Sequence, residues 1–229
     1  MLNYRIKKSV ECIENMLSLS GTPYLALSFG KDSLVTLDLI RSVYPSIKCL
    51  FLKSEESFLL YNYEEIINHY VIETNLNLEI IETKRLSENN WEWEKARKAG
   101  NKDFNLFEYK DYDGVFMGLR CEESKGRKFS ILTAKNKEYD FIHKYTAGLR
   151  KNMYRCCPVA LWKQDEILFY LNQKKLPFLK VYENGSHIRT TARLTGDAVR
   201  GNSLFWIKKT DPERFNILVS KLPELKKHI

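Results

Sequence analysis

The chain has 229 residues, 44% hydrophobic and 29% charged, enough length and apolar content to bury a large α/β core and to exclude a disordered protein. No apolar run approaches a bilayer span, and the first twenty residues, MLNYRIKKSVECIENMLSLS, have the period of an amphipathic helix rather than a signal peptide, so a cytoplasmic protein without membrane association is expected. The net charge of +8 is uneven: residues 1–119 hold 14 Lys and Arg against 18 Asp and Glu, and residues 120–229 hold 23 against 11.

After the first helix, residues 24–27 read as a short buried strand and residues 33–43 as a helix stopped by Tyr44-Pro45-Ser46. IKCLFLK (residues 47–53) is a second apolar strand, residues 62–75 a second amphipathic helix, and NLEIIET (residues 77–83) a third strand. Residues 88–101 read as a helix that opens with aromatic residues, and DGVFMGL (residues 113–119) as a fourth buried strand. Beyond Arg127 the pattern loosens: residues 137–159 read as a hairpin or as a strand with long loops, residues 161–176 as a helix, and residues 212–222 as a final helix.

Short apolar strands alternating with helices predict a doubly wound, mostly parallel five-stranded sheet with helices on both faces and a helical or irregular C-terminal region. The division expected is one α/β domain over residues 1–185 and a basic extension, 186–229, packed on that domain. In such sheets ligands sit beyond the carboxyl ends of the strands where strand order reverses. Two polar segments, residues 28–33 and 118–124, follow predicted strands and meet that requirement.

Ser28-Phe29-Gly30-Lys31-Asp32-Ser33 lies between a strand and a helix, where free backbone N–H groups and a positive dipole end favour phosphate. Gly30 suits a tight turn, Ser28 and Ser33 supply hydroxyls, and Lys31 supplies a cation. Asp32 either orients Lys31 or helps hold magnesium. The bland alternative is a turn followed by a helix with a serine N-cap. An arginine at the end of a buried strand, Arg120, suits phosphate oxygens or pairs with Glu122, Glu123 or another acid.

SFGKDS resembles the Ser-x-Gly-Lys-Asp-Ser pyrophosphate loop of the adenine-nucleotide α-hydrolases (HUP-like folds), specifically their phosphoadenosine-phosphosulfate (PAPS) reductase-like branch. GLRCEESKGR (residues 118–127), RCCPVALWKQDEILFYL (155–171) and LPFLKVYENG (176–185) resemble that branch's later segments, in its order. The resemblance implies that Ser28, Gly30, Lys31, Asp32 and Ser33 grip the phosphates or sulfate of an adenine nucleotide, with Gly118, Leu119, Arg120 and Arg127 lining it. Lys31, Asp32 and Arg120 are then the expected catalytic residues, Asp32 the metal ligand, and ATP (or PAPS or adenosine phosphosulfate, APS) with Mg²⁺ the expected cofactors. Trp162 and Pro158 are read as packing residues, and Tyr182 either stacks or packs.

The chain departs from the branch where FLKSEES places Lys53, Ser54 and Glu55 in a nucleotide-recognition loop. No cysteine follows Cys157, and the adjacent pair Cys156-Cys157 has no later Cys-x-x-Cys, so no iron–sulfur cluster is expected. Cys121, Cys156 and Cys157 remain either reactive thiols near a basic site or buried free cysteines. In the tail, His187, Arg189, Arg193 and Arg200, interleaved with Thr190 and Thr191, form either a phosphate-binding surface or a solvated helix face. The basic second half leads equally to a solvated surface or to a nucleic acid or protein partner, and the oligomeric state stays open, a homodimer included.

Three functions fit these residues. The first is an ATP pyrophosphatase-type enzyme that adenylylates a substrate for sulfur or nitrogen transfer. The second is a sulfonucleotide reductase with a non-standard thiol, and the third a nucleotide- or nucleic-acid-binding module without catalysis.

Overall fold

Helix α1 (Leu2–Leu19) turns Ser9, Cys12, Ile13 and Met16 inward, a 3–4 residue spacing that gives it one buried stripe. The computed structural model describes residues 2–54, 61–83, 111–133, 137–146, 150–182, 203–221 and 223–228. The expected helix at residues 88–101, the basic tail segment around residues 187–202 and the proposed domain boundary at 185/186 lie outside the described residues.

Strands β1 (Pro23–Ala26), β2 (Lys48–Ser54), β3 (Leu78–Thr83), β4 (Gly114–Phe116), β5 (Lys137–Tyr139), β6 (Ile142–Lys144) and β7 (Tyr154–Cys156) form one sheet in the order β3-β2-β1-β4-β7-β6-β5. The sheet therefore has seven strands where five were expected. Five of them are parallel, with Leu25 opposite Cys49 in β2 and Phe116 in β4, and Phe116 opposite Cys156 in β7. The additional pair, β5 and β6, is an antiparallel hairpin laid against β7. Three-residue strands are too short to show a period, so their pairing is set by β7 rather than by local pattern.

One face of the sheet carries the main core. Leu25, Cys49, Phe51, Phe116 and Cys156 pack there with Ile13 and Met16 of α1, Leu34 and Leu37 of α2 (Lys31–Arg41), and Ile66 and Ile67 of α3 (Tyr63–Asn68). Ile167 and Leu171 of α5 (Gln164–Gln173), Leu204 and Ile207 of α6 (Ser203–Thr210), and Leu218 of α7 (Pro212–Lys221) complete that cluster. Helix α6 was not read from the sequence; α3 is shorter than predicted and passes into a π-helical turn, His69–Glu73.

The opposite face holds Tyr24, Leu50, Val115 and Met153. Arg155, paired with Val115 across β4 and β7, shares that face and reaches α4 (Lys125–Leu132), donating to Ser130 Oγ at 3.0 Å and to the Ser130 carbonyl at 2.8 Å. Helices thus flank both faces, and the sequence of strand order reverses between β1 and β4.

Candidate functional site

The chain leaves β1 through Leu27, whose N–H still reaches the Leu50 carbonyl of β2 at 3.0 Å, and enters α2 at Lys31. The left-handed residue of the intervening loop is Phe29 (φ 52°), not Gly30, which has an extended backbone (φ −72°). A left-handed aromatic residue is unfavourable, and burial of its ring offsets that cost: Phe29 packs at 5.1 Å from Phe51, 6.1 Å from Tyr70 and 6.5 Å from Tyr63. Ser33 Oγ donates to the Gly30 carbonyl at 2.9 Å, the Gly30 N–H donates to Ser28 Oγ at 3.3 Å, and the two hydroxyls lie 3.1 Å apart. The serines therefore staple the loop. Neither caps α2 as the bland alternative required, since the N-cap is Gly30, which has no side chain to offer.

Gly118 follows β4 and lies directly on the first turn of α2. A Cβ placed there would sit 2.8 Å from Asp32 C, Ser33 Cα and Ser33 N. The residue is thus a close-approach glycine, which lets the loop after β4 press its next residues against the phosphate-type loop.

Asp32 joins the two loops. Its Oδ1 accepts from Arg120 Nε at 2.6 Å and its Oδ2 from Lys31 Nζ at 3.1 Å. Lys31 is 6% exposed, Asp32 9% and Arg120 2%, so these charges are held largely out of water and stabilise one another. Arg120 Nη1 also donates to Glu122 Oε2 at 2.6 Å and to the Trp162 carbonyl at 3.2 Å. Burial works to lower the Arg120 pKa, but the charge of Asp32 and the hydrogen bonds to Glu122 and Asp32 outweigh it and hold it above its ordinary value. Glu122 Oε2 also takes the Gln164 N–H at 2.7 Å, at the start of α5; burial works to raise its pKa, and Arg120 with that N–H brings it below the usual carboxylate range. Lys31 Nζ stands 5.1 Å from the centre of the Tyr182 ring, and Arg127 pairs with Glu123.

All nine residues expected at the site (Ser28, Gly30, Lys31, Asp32, Ser33, Gly118, Leu119, Arg120 and Arg127) line one cavity of about 610 Å³. It opens between the loops after β1 and β4, where strand order reverses. Glu122, Glu123, Gln164, Asp165 and Tyr182 line it as well and were not singled out as site residues from the sequence. A signal existed for three of these, since Tyr182 stands in LPFLKVYENG and Gln164 and Asp165 stand in RCCPVALWKQDEILFYL, but no local pattern showed that α5 is brought to the cavity by packing against α2. Lys53 is not among the lining residues.

Asp32 contacts both Lys31 and Arg120, which is the arrangement that the first of its two expected roles, orienting Lys31, requires. Both carboxylate oxygens are engaged by cations, and among the described residues no group of three His, Cys, Asp or Glu is arranged to hold a metal ion. Arg120 sits in the ion pairs anticipated as its alternative role.

Burial disfavours the thiolate form at the three cysteines considered as reactive thiols. Burial pushes Cys157 up to about 12, and burial with a hydrogen bond to Cys12 raises Cys156 well above the ordinary thiol value; Cys121, partly buried, is also raised. Trp162 packs as expected, with Nε1 donating to Ser9 Oγ at 2.9 Å.

Residues 22–200 match the phosphoadenosine phosphosulfate reductase domain family. The chain belongs to that family. An uncharacterized protein of Methanocaldococcus jannaschii, MJ0066, is 29% identical over 204 residues, 80% of this chain and 38% of that protein, so the chain spans about two fifths of the length of this curated relative. Among solved structures, the NH3-dependent NAD synthetase from Campylobacter jejuni, in complex with the nitrate ion, superposes with a TM-score of 0.51 at 17% identity over 100% of this chain and 96% of that one. It supports the doubly wound fold. The PAPS reductase from Candida auris, a phosphate complex, gives a TM-score of 0.47 at 15% identity over 77% of this chain and 87% of its own. The U34-tRNA thiolase NcsA from Methanococcus maripaludis gives 0.49 at 16% identity over 100% and 81%.

The expectation of no iron–sulfur cluster is overturned. The NcsA structure is described with its [4Fe-4S] cluster, and this family member has five free cysteines, so the missing later Cys-x-x-Cys does not rule a cluster out. Spacing along the chain is a poor guide because folding joins distant thiols: Cys12 Sγ lies 3.5 Å from Cys156 Sγ across 144 residues. Among the described residues no helix is long and apolar enough to cross a membrane.

Proposed function

We propose that the protein is an adenine-nucleotide enzyme that binds ATP in the cavity between the β1 and β4 loops and transfers its adenylyl group to an acceptor, activating it for sulfur or nitrogen transfer. The observation that carries this reading is the N-terminus of α2, without a side-chain cap, at a topological switch point, with Lys31 and Arg127 both lining a cavity of about 610 Å³. An acceptor oxygen attacks the α-phosphorus, the bond from that phosphorus to the bridging oxygen breaks, and pyrophosphate leaves with the electron pair. The α2 N–H groups, Lys31 and Arg127 stabilise the phosphate charge that develops. Asp32, itself held by Arg120, keeps Lys31 in place and Glu123 keeps Arg127, while Lys31 must leave the Tyr182 face to reach a phosphate.

This reading has no step through a protein-held metal. Magnesium would enter on the nucleotide's own phosphates, the usual source of its ligands in such sites. The raised thiol pKa values of Cys121, Cys156 and Cys157 speak against the reductase alternative, which needs a thiolate.

Calorimetric titration with ATP and Mg²⁺, and separately with adenosine 3′,5′-bisphosphate, tests the reading on wild type and Lys31→Ala. The expected result is ATP binding that falls at least tenfold in a variant with unchanged circular dichroism, and pyrophosphate release on adding acceptor. Preference for the bisphosphate would transfer the assignment to the sulfonucleotide class, and equal ATP affinity in Lys31→Ala would overturn it.

A further inference from the structure

The positive charge of the second half is concentrated in a particular part of the fold. Residues 125–156, which form α4, the β5–β6 hairpin and β7, hold nine Lys and Arg against two Asp and Glu. In α4, Lys125, Lys128 and Phe129 occupy positions i, i+3 and i+4, which share one helix face, and all three are exposed, Phe129 at 69%. Neither lysine is ion-paired among the described residues. Arg127, on another flank of the same helix, lines the nucleotide cavity. Behind α4, Arg155 is 7% exposed, and its hydrogen bonds go to the hydroxyl and carbonyl oxygens of Ser130, so its charge adds to the field of this face without an ion pair to a carboxylate among the described residues. Lys151, at the entrance to β7, is exposed too.

The geometry points to a single-stranded nucleic acid as the acceptor-bearing substrate, laid along α4 with phosphates on Lys125 and Lys128 and a base stacked on Phe129. This inference rests on the nucleotide site proposed above and names the class of its second substrate. Charge alone would suit any polyanion; the exposed ring beside two lysines on one helix face selects an unpaired base, because a duplex hides its base faces while a single strand offers them for stacking. Helix α4 is about 12 Å long at 1.5 Å per residue, and Arg127, which lines the cavity, belongs to the same helix, so a strand laid along α4 passes within about one helix length of the cavity.

Fluorescence anisotropy with an end-labelled twelve-nucleotide single-stranded RNA, the same sequence as single-stranded DNA, and the matched duplex tests this between 50 and 200 mM KCl. The expected result is single-strand binding that weakens with salt, with a log–log slope reduced by about 1.4 in Lys125→Glu/Lys128→Glu, two phosphate contacts at about 0.7 each. Phe129→Ala is expected to weaken single-strand binding roughly tenfold and to leave any duplex binding unchanged. The RNA and DNA arms say which sugar is preferred. Absence of single-strand binding at 50 mM KCl, tighter binding of the duplex, or unchanged affinity in the double variant overturns the inference and turns attention to an acidic protein partner. Calorimetry with ATP on the same variants keeps the two claims apart. Retained ATP binding with lost oligonucleotide binding supports the surface; oligonucleotide binding without any ATP binding supports the surface and refutes the nucleotide reading.

Discussion

Replacing Gly118 by alanine probes the contact that joins the two site loops. The new Cβ would lie 2.8 Å from Asp32 C, Ser33 Cα and Ser33 N, all backbone atoms of the first turn of α2. Carbon–carbon contacts are comfortable at about 3.5–4.0 Å, so the loop or the helix must retreat by roughly 0.7 Å or more. Neither retreats freely, since Thr36 Oγ1 holds the Asp32 carbonyl at 2.8 Å and Arg120 holds the Asp32 carboxylate. Overpacking of this kind costs about 1–3 kcal/mol, which for a domain of this size lowers Tm by roughly 3–10 °C. Because the displaced atoms carry the N–H groups of the anion site, ATP affinity is expected to fall as well. Gly126→Ala is the matched control: nothing lies within 4 Å of its added Cβ, and alanine inside α4 stabilises by about 0.5–1 kcal/mol. Scanning fluorimetry and calorimetry on both variants check this; a Gly118→Ala protein as stable and as tight for ATP as Gly126→Ala would refute the close-approach argument.

Arg120→Met leaves the buried Asp32 with Lys31 alone and takes the cation from the exposed Glu122, and is expected to destabilise by about 3 kcal/mol in urea titrations, more than the exposed Lys128→Met. A smaller loss than that of Lys128→Met would show that the pairs are weak. Cys49 and Cys157 are each pushed up to about 12 by burial, so an unfolded thiol ionises at lower pH than the folded one. Their contribution to stability is complete below the unfolded pKa near 8.5–9 and declines as pH rises toward 12, by about 1.4 kcal/mol per pH unit for each thiol. Cys49→Ala/Cys157→Ala should flatten that decline between pH 9 and 11, and an unchanged slope would place its cause elsewhere. In native protein at pH 8, iodoacetamide followed by mass spectrometry should label Cys121, which is partly exposed, before Cys12, Cys49, Cys156 and Cys157, which are buried; early labelling of Cys156 would contradict its burial.

Local pattern carried much of the site. A buried four-residue strand, a polar turn and an apolar helix in succession announce an anion-binding loop, because burial of the strand and amphipathicity of the helix are both periodic properties of neighbouring residues. The same reasoning placed Gly118 to Arg127 after another buried strand, and the nine expected residues do meet in one cavity. What local pattern could not carry is who faces whom. The Asp32–Arg120 pair spans 88 residues and exists because β1 and β4 are adjacent; Cys12 meets Cys156 because α1 crosses β7. The left-handed turn falls on Phe29 rather than Gly30 since three distant rings pack against it, and the hairpin β5–β6 becomes part of the sheet only where β7 offers an open edge. Periodicity tells which side of an element is buried, but strand order and helix docking, settled by the packing of the whole core, choose its neighbours, and those neighbours decide whether Asp32 orients cations or waits for a metal.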